Sequence, residues 1–200
     1  MQIAITWWMK YMDLRPVTCH RIFEMREHNV VYIDAAGGDP WTALVARVGS
    51  IWVRSRARAP QWLLDQLLER DDNQIAVLEM AAIVLALWTL EEFIAGTAVS
   101  MFSDNTVALA ALTKGSSRSP EVNCMAAQVW HLASVRSIGL MGYKVASSSN
   151  VADGPTREDL SHVRRLGALW LEPKWPCWLT DLWQFAELPE SKLSGVHFKA

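Results

Sequence analysis

Cysteine is scarce in this chain and spaced poorly for chemistry. The three cysteines, Cys19, Cys124 and Cys177, are spread over 200 residues with no Cys-x-x-Cys or Cys-x-x-His spacing. The odd number argues against a closed disulfide framework, and the spacing excludes the usual structural zinc sites. A reducing compartment is the expectation that follows. Net charge is also small: 19 Lys and Arg against 21 Asp and Glu leave a formal −2. That balance excludes a chain that holds nucleic acid by bulk positive charge. Any such partner must be held by a local patch, by metal ions or with help from another domain. Long apolar runs are missing as well. The longest, from Ile75 to Leu90, contains Glu79 and falls short of the roughly 20 residues that a membrane helix needs. No signal-peptide pattern is present, because Lys10 and Arg15 follow the first apolar stretch instead of preceding it. An intracellular location, cytoplasm or nucleus, is expected. Internal repeats and low-complexity segments are absent.

What the chain does have is apolar mass. Hydrophobic residues make up 51% of it, enough for a sizeable core in one domain with extensions or in two very small ones. Eleven tryptophans are an unusual number. Trp130, Trp170, Trp175, Trp178 and Trp183 fall in the later part of the chain. Such rings can stack on bases, but core and interface roles are commoner.

Local patterns give an element order. Residues 1–27 carry no motif and read as a lead-in, such as the tail of a preceding domain. Residues 29–35 are a β-rich run followed by the turn Gly37-Gly38-Asp39-Pro40. Residues 41–48 and 50–57 are two further strands, and short turns make the three an antiparallel meander. A short helix is expected over 61–69, with Asp71-Asp72-Asn73 offering cap chemistry before the clearest helix, 74–92. A strand over 98–103 follows, then a helix over 106–113 that Asp104 and Asn105 are placed to cap. A helix over 121–137, a strand over 139–145 and a helix over 158–169 complete the order. A meander followed by βα units predicts an α/β fold with a mixed five-stranded sheet, three antiparallel strands and then parallel ones, flanked by helices.

Four acidic residues stand at chosen places in that order. Asp34 ends the first strand, Glu79 lies inside the apolar helix, Asp104 ends the fourth strand, and Asp153 follows the last strand in the run Ser147 to Arg157. If the first and fourth strands are parallel neighbours, both aspartates emerge at one sheet edge. Clustered carboxylates on rigid elements suit hard divalent cations such as Mg²⁺ and Mn²⁺. Paired cations are a general solution to phosphodiester hydrolysis. Each residue also has an ordinary explanation: turn duty for Asp34, helix capping for Asp104 and Asp153. Glu79 fits an ordinary role least well, because an unpaired carboxylate among Val77, Leu78, Met80 and Ala81 is costly.

Four stretches then carry a family resemblance: YIDAAG (residues 32–37), IAVLEMAAIVLAL (75–87), MFSDNTVALAALTKGSS (101–117) and SSSNVADGPTR (147–157). In these, residues 28–160 resemble the ribonuclease H domains of retrotransposons, of the tyrosine-recombinase type and relatives, and of hepadnavirus-like polymerases. The last motif is the most specific. The resemblance implies a ribonuclease H-like fold over 28–160, with residues 161–200 as a Trp-rich C-terminal appendage. It makes Asp34, Glu79, Asp104 and Asp153 catalytic ligands to two Mg²⁺ ions, with Mn²⁺ as a substitute. It implies cleavage of the RNA strand of RNA–DNA hybrids and a reverse-transcriptase domain as partner, in cis or in trans. Asn105, Lys114, Arg118, Asn150 and Arg157 become the expected nucleic-acid contacts. Arg54, Arg56 and Arg58 are further candidates, and Arg157 has the alternative of pairing with a site carboxylate. Two departures matter. No histidine lies between His131 and His162 to stand before the last aspartate, and no Tyr-x-Asp-Asp polymerase signature is present.

Other readings compete with this one. A catalytically inactive scaffold or nucleic-acid-binding module is the runner-up, and an intact acidic quartet argues against it. A transposase or DNA-resolving enzyme of the same superfamily fits the 147–157 ending less well. A metal-free Trp-rich interaction module differs from all of these in binding no Mn²⁺.

Overall fold

The computed structural model describes residues 28–67 and 74–185. The lead-in over 1–27, the Asp71-Asp72-Asn73 cap and the last residues of the appendage lie outside the described residues. Three strands come first: β1 (His28–Ala35), β2 (Trp41–Val48) and β3 (Ile51–Arg58). A short helix, α1 (Gln61–Leu64), precedes the long α2 (Ile75–Ile94). Then come β4 (Ala98–Ser103), α3 (Thr106–Lys114), α4 (Pro120–Val135) and β5 (Gly139–Lys144). A 3-10 turn (Ser147–Ser149) leads to α5 (Asp153–Thr156), α6 (Ser161–Arg165), β6 (Leu169–Trp170) and a 3-10 stretch, Cys177–Phe185.

The sheet order is β5-β4-β1-β2-β3-β6. β1, β2 and β3 pair antiparallel, whereas β4 pairs parallel with both β1 and β5. The mixed α/β architecture is the expected one. The strand count is not: two residues, Leu169 and Trp170, add a sixth strand parallel to β3. They were expected to end or follow a helix over 158–169. Within that span the one helix is the short α6, Ser161–Arg165, and α5 ends before it. Glu158 between them has φ +68°, a left-handed conformation that no α-helix continues through.

The helix α2 sits at the centre. It packs on β1 and β2 on one side and on α4 on the other. Every residue from Val77 to Leu87 is buried, so the helix needs no polar face. Leu179 and Leu182 from the C-terminal stretch are also fully buried in the same core. Trp178 meets Trp88 edge to face at 5.5 Å, at the end of α2 remote from Glu79. Trp62, Trp130 and Trp175 pack at the core margin. Trp170 is exposed, with the Arg54 guanidinium over its ring. On the opposite sheet face a smaller cluster joins Val45 to Ala152 and Val163, which seats α5 against β1 and β2.

The turn before α6 constrains one glycine sharply. A Cβ at Gly154 would lie 2.7 Å from the Asp159 carbonyl oxygen. The Asp159 N–H closes the same turn on the Gly154 carbonyl at 2.9 Å. Gly154→Ala is therefore expected to cost about 1–3 kcal/mol of stability, the range for overpacking. Urea unfolding measures it, and an unchanged midpoint would show that this turn yields freely.

Candidate functional site

Sheet register brings two aspartates together. Tyr32 of β1 lies opposite Phe102 of β4. Two residues further along each parallel strand stand Asp34 and Asp104, at the same edge. Glu79 reaches that edge from the second turn of α2, because α2 packs directly on β1. Asp34, Glu79 and Asp104 each offer a carboxylate oxygen, and these oxygens all lie within 4.8 Å of one another.

Asp104 is spared the capping role that its position allowed. Asn105 caps α3 instead, its Oδ1 accepting from the N–H groups of Val107 and Ala108 at 3.0 Å each. Asp34 is likewise spared turn duty: it is 5% exposed and is held by side chains from the loop after β5. The Thr156 hydroxyl donates to its Oδ2 at 2.6 Å, and the Asn150 amide approaches its Oδ1 at 3.4 Å. Asn150 also donates to the Ile33 carbonyl at 2.9 Å and accepts from the Ala152 N–H. This one buried amide ties the loop to β1. Asn150, expected as a nucleic-acid contact, is 5% exposed and uses its amide on these bonds. Glu79, 3% exposed, accepts from the Ala35 N–H at 3.4 Å and from the Ser103 hydroxyl at 3.3 Å. Both bonds are long.

Two buried carboxylates so close to a third are not comfortable as anions. Burial, then the charges of Asp34 and Asp104, push Glu79 up to about 8, against the weaker pull of the Ala35 and Ser103 donors. Burial pushes Asp34 up to about 6. The Thr156 hydrogen bond and the more distant Arg157 oppose that rise, while the charges of Asp104 and Asp153 add to it.

Asp153 stands on the rim, apart from that group of three. It opens α5 and lines the same open cleft as the other three carboxylates, together with Gly37, Gly38 and Asn105. Its Oδ1 accepts from Arg157 Nε at 2.9 Å. Among the described residues that line the cleft, Arg157 is the one cation. Lys114 and Arg118 are exposed at the end of α3 and in the loop after it, and neither lines the cleft. The β3 arginines are engaged within the fold. Arg56 lies over the Trp41 ring at 3.7 Å and pairs with Glu158, and Arg58 pairs with Asp39.

The donor set can be tested against a cation on its chemistry. Three carboxylates and no sulfur or imidazole suit a hard divalent ion. Two of them are buried, and among the described residues no cationic side chain pairs with any of the three, so ionising the cluster leaves charge that a cation would offset. Residues Asp34, Glu79 and Asp104 fit such an ion, with Asp153 in reach of the same cleft. Sequence reasoning missed Thr156 and Ser103, which hold the carboxylates. A hydroxyl three residues after Asp153 was a signal, but only the fold reveals that it serves Asp34.

No protein-family model matches this chain, and no curated protein does. Solved structures with a similar chain path exist. The ribonuclease H1 of the halophilic archaeon Halobacterium salinarum NRC-1 is 15% identical with a TM-score of 0.47, over 68% of this chain and 97% of that one. The N-terminal RNase H domain of Rv2228c from Mycobacterium tuberculosis, solved as a fusion with maltose-binding protein, is 14% identical with a TM-score of 0.48, over 70% and 99%. LC11-RNase H1, isolated from compost by a metagenomic approach, is 14% identical with a TM-score of 0.48, over 69% and 99%. Likeness at this level assigns neither chemistry nor substrate. Among the described residues no helix is long and apolar enough to cross a membrane.

Proposed function

We propose that this chain is a ribonuclease H-type phosphodiester hydrolase that cuts the RNA strand of RNA–DNA hybrids with two divalent cations, Mg²⁺ or Mn²⁺. One observation carries the reading: Asp34, Glu79 and Asp104, far apart in sequence, bring carboxylate oxygens within 4.8 Å of one another in a cleft that Asp153 also lines. The chain order Asp, Glu, Asp, Asp and the 147–157 motif point to a retroelement polyprotein or a gene derived from one. A reverse-transcriptase domain in cis or in trans would supply the hybrid. All four carboxylates fall within residues 28–160, the stretch assigned to the nuclease unit. Residues 161–200 are then an appendage to it, from which Leu179 and Leu182 pack into the core and Trp178 meets Trp88 of α2.

The bound cations would supply Lewis-acid stabilisation of charge at the scissile phosphate and a lowered pKa for the attacking water. The protein's own part is placement. Asp34 and Asp104 form one wall of the cleft from two adjacent parallel strands, and Glu79 forms its floor. Thr156 and Asn150 lock the Asp34 rotamer, and Ser103 and the Ala35 N–H orient Glu79. The cleft is lined by Gly37 and Gly38 on one side, and a Cβ added at Gly38 would meet nothing within 4 Å, which leaves room there for a phosphodiester backbone.

The decisive experiment incubates the chain with labelled RNA–DNA hybrid, RNA duplex and DNA duplex, each with Mg²⁺, Mn²⁺ or EDTA. Cleavage confined to the RNA of the hybrid and abolished by EDTA is the expected result. Cleavage that survives EDTA, or Mn²⁺ titration with no heat, would end the reading.

The support for Asp34 gives a second test. Thr156→Val keeps the side-chain shape and removes the donor to Asp34 Oδ2. Removing such an outer partner typically weakens metal affinity about 10–100-fold. Calorimetric Mn²⁺ titration should register a loss of that order, and Thr156→Ser should recover most of it.

A further inference from the structure

The fourth carboxylate lies outside the group of three and pairs with a cation of its own. Asp153 and Arg157 are four residues apart across α5, and Arg157 Nε donates to Asp153 Oδ1 at 2.9 Å. Their side chains are 31% and 73% exposed respectively, so water reaches the pair. An exposed pair of this kind is weak and easily exchanged. Both residues line the cleft that contains Asp34, Glu79 and Asp104, yet Asp153 is not among the oxygens that lie within 4.8 Å of one another. Its backbone is nonetheless well held. The Asp153 N–H donates to the Asn150 carbonyl, and Asn150 is tied to β1. What is undecided in this site is therefore the direction of one side chain.

A guanidinium matches a phosphate as well as it matches a carboxylate, because its planar fork offers parallel donors to either. Among the described residues Arg157 is also the one cation lining the cleft, so it is placed to meet a phosphodiester that enters. We infer that Arg157 is a positioning residue that works by exchange: in the free site it holds Asp153 away from the other carboxylates, and an entering phosphodiester takes over its guanidinium and frees Asp153 to join them. The free site then has three ligands for a first cation and gains the fourth carboxylate only when substrate is present. This rests on the nuclease reading, and it adds an order of events: substrate phosphate before the second cation. No bond is made or broken in the exchange. One ion pair replaces another.

The test is Mn²⁺ titration calorimetry on the full chain without nucleic acid, for the parent, Arg157→Gln, Asp153→Asn and the double variant. The parent should bind one Mn²⁺ well and a second weakly. Arg157→Gln should tighten the second Mn²⁺ about two- to fivefold, the order expected for releasing one carboxylate from an exposed ion pair. In the Asp153→Asn background the same change should give little gain, because no carboxylate is freed. Arg157→Lys, which keeps the charge, should stay near the parent. Against hybrid, Arg157→Gln should raise KM more than it lowers kcat, since it loses a phosphate contact and keeps the ligands. A second-site affinity unchanged in Arg157→Gln, or a gain that persists in the double variant, overturns the exchange while leaving the nuclease reading intact. No Mn²⁺ bound by any variant, the parent included, would instead sink the nuclease reading itself and the inference with it.

Discussion

Asp104→Asn is expected to lower cleavage of RNA–DNA hybrid on the order of 10³-fold or more, the scale of losing a central electrostatic contact in a catalytic site. The fold should survive the change intact. Asparagine keeps the size of the side chain, and the cap of α3 is made by Asn105 and is untouched. Stability in EDTA should even rise. The Asp104 charge helps to push both Asp34 and Glu79 up, and without it the remaining two ionise at less cost. A gain of up to about 1 kcal/mol at neutral pH is the scale of relieving one like-charge contact. Single-turnover cleavage and urea unfolding, run on the same preparations, separate the two effects. Cleavage at the parent rate would remove Asp104 from the catalytic set. Lost cleavage with lost folding would instead make Asp104 a structural residue.

The second large effect is on stability, and its sign follows from the buried carboxylates. Glu79 is raised from 4.5 to about 8 and Asp34 from 3.8 to about 6. Between the unfolded and folded values the native state binds more protons than the unfolded chain, so stability falls as pH rises. The loss begins near pH 4, where the unfolded carboxyls ionise. Asp34 completes its share near pH 6 and Glu79 near pH 8. At about 1.4 kcal/mol per pH unit for each unequally held proton, the chain in EDTA should lose a few kcal/mol between pH 5 and pH 8. Excess Mn²⁺ should remove most of that slope, because a bound cation stabilises the ionised cluster. Glu79→Gln should flatten the curve above pH 6 even in EDTA, since the group that titrates there is gone. Chemical denaturation at pH 5, 6.5 and 8, with EDTA or Mn²⁺, reads all of this. A parent protein that gains stability from pH 5 to pH 8 in EDTA would show that Glu79 and Asp34 are not strained in the folded state.

Much of the architecture was legible in the chain because it is local. Apolar alternation and the Gly37-Gly38-Asp39-Pro40 turn place β1 and β2, and the Ala- and Leu-rich run places α2 to within two residues at its C-terminal end. The 158–169 region was misread for an equally local reason. Its composition suits a helix, but the Gly154–Asp159 turn and the left-handed Glu158 delay its start, and the left-handed Gly167 follows its end. Those constraints come from packing α5 and α6 against Val45 on the sheet, and no window of sequence contains Val45 and Val163 together.

The same division runs through the site. Residue type and order, together with the family resemblance of four short stretches, picked out the four carboxylates to watch, and Glu79 most sharply, since an acid inside an apolar helix costs free energy wherever the chain goes. The tertiary structure alone decided how they meet. Parallel pairing of β1 with β4 sets Asp34 beside Asp104, and the packing of α2 on β1 lifts Glu79 to the same edge. The loop after β5 brings Thr156 and Asn150 onto Asp34, while its neighbour Arg157 pairs with Asp153. Hydrogen bonds between residues more than a hundred positions apart depend on sub-ångström placement of separate elements. Composition and periodicity carry the tendency of each element to form, but not that placement, because it is set by how all the elements pack at once.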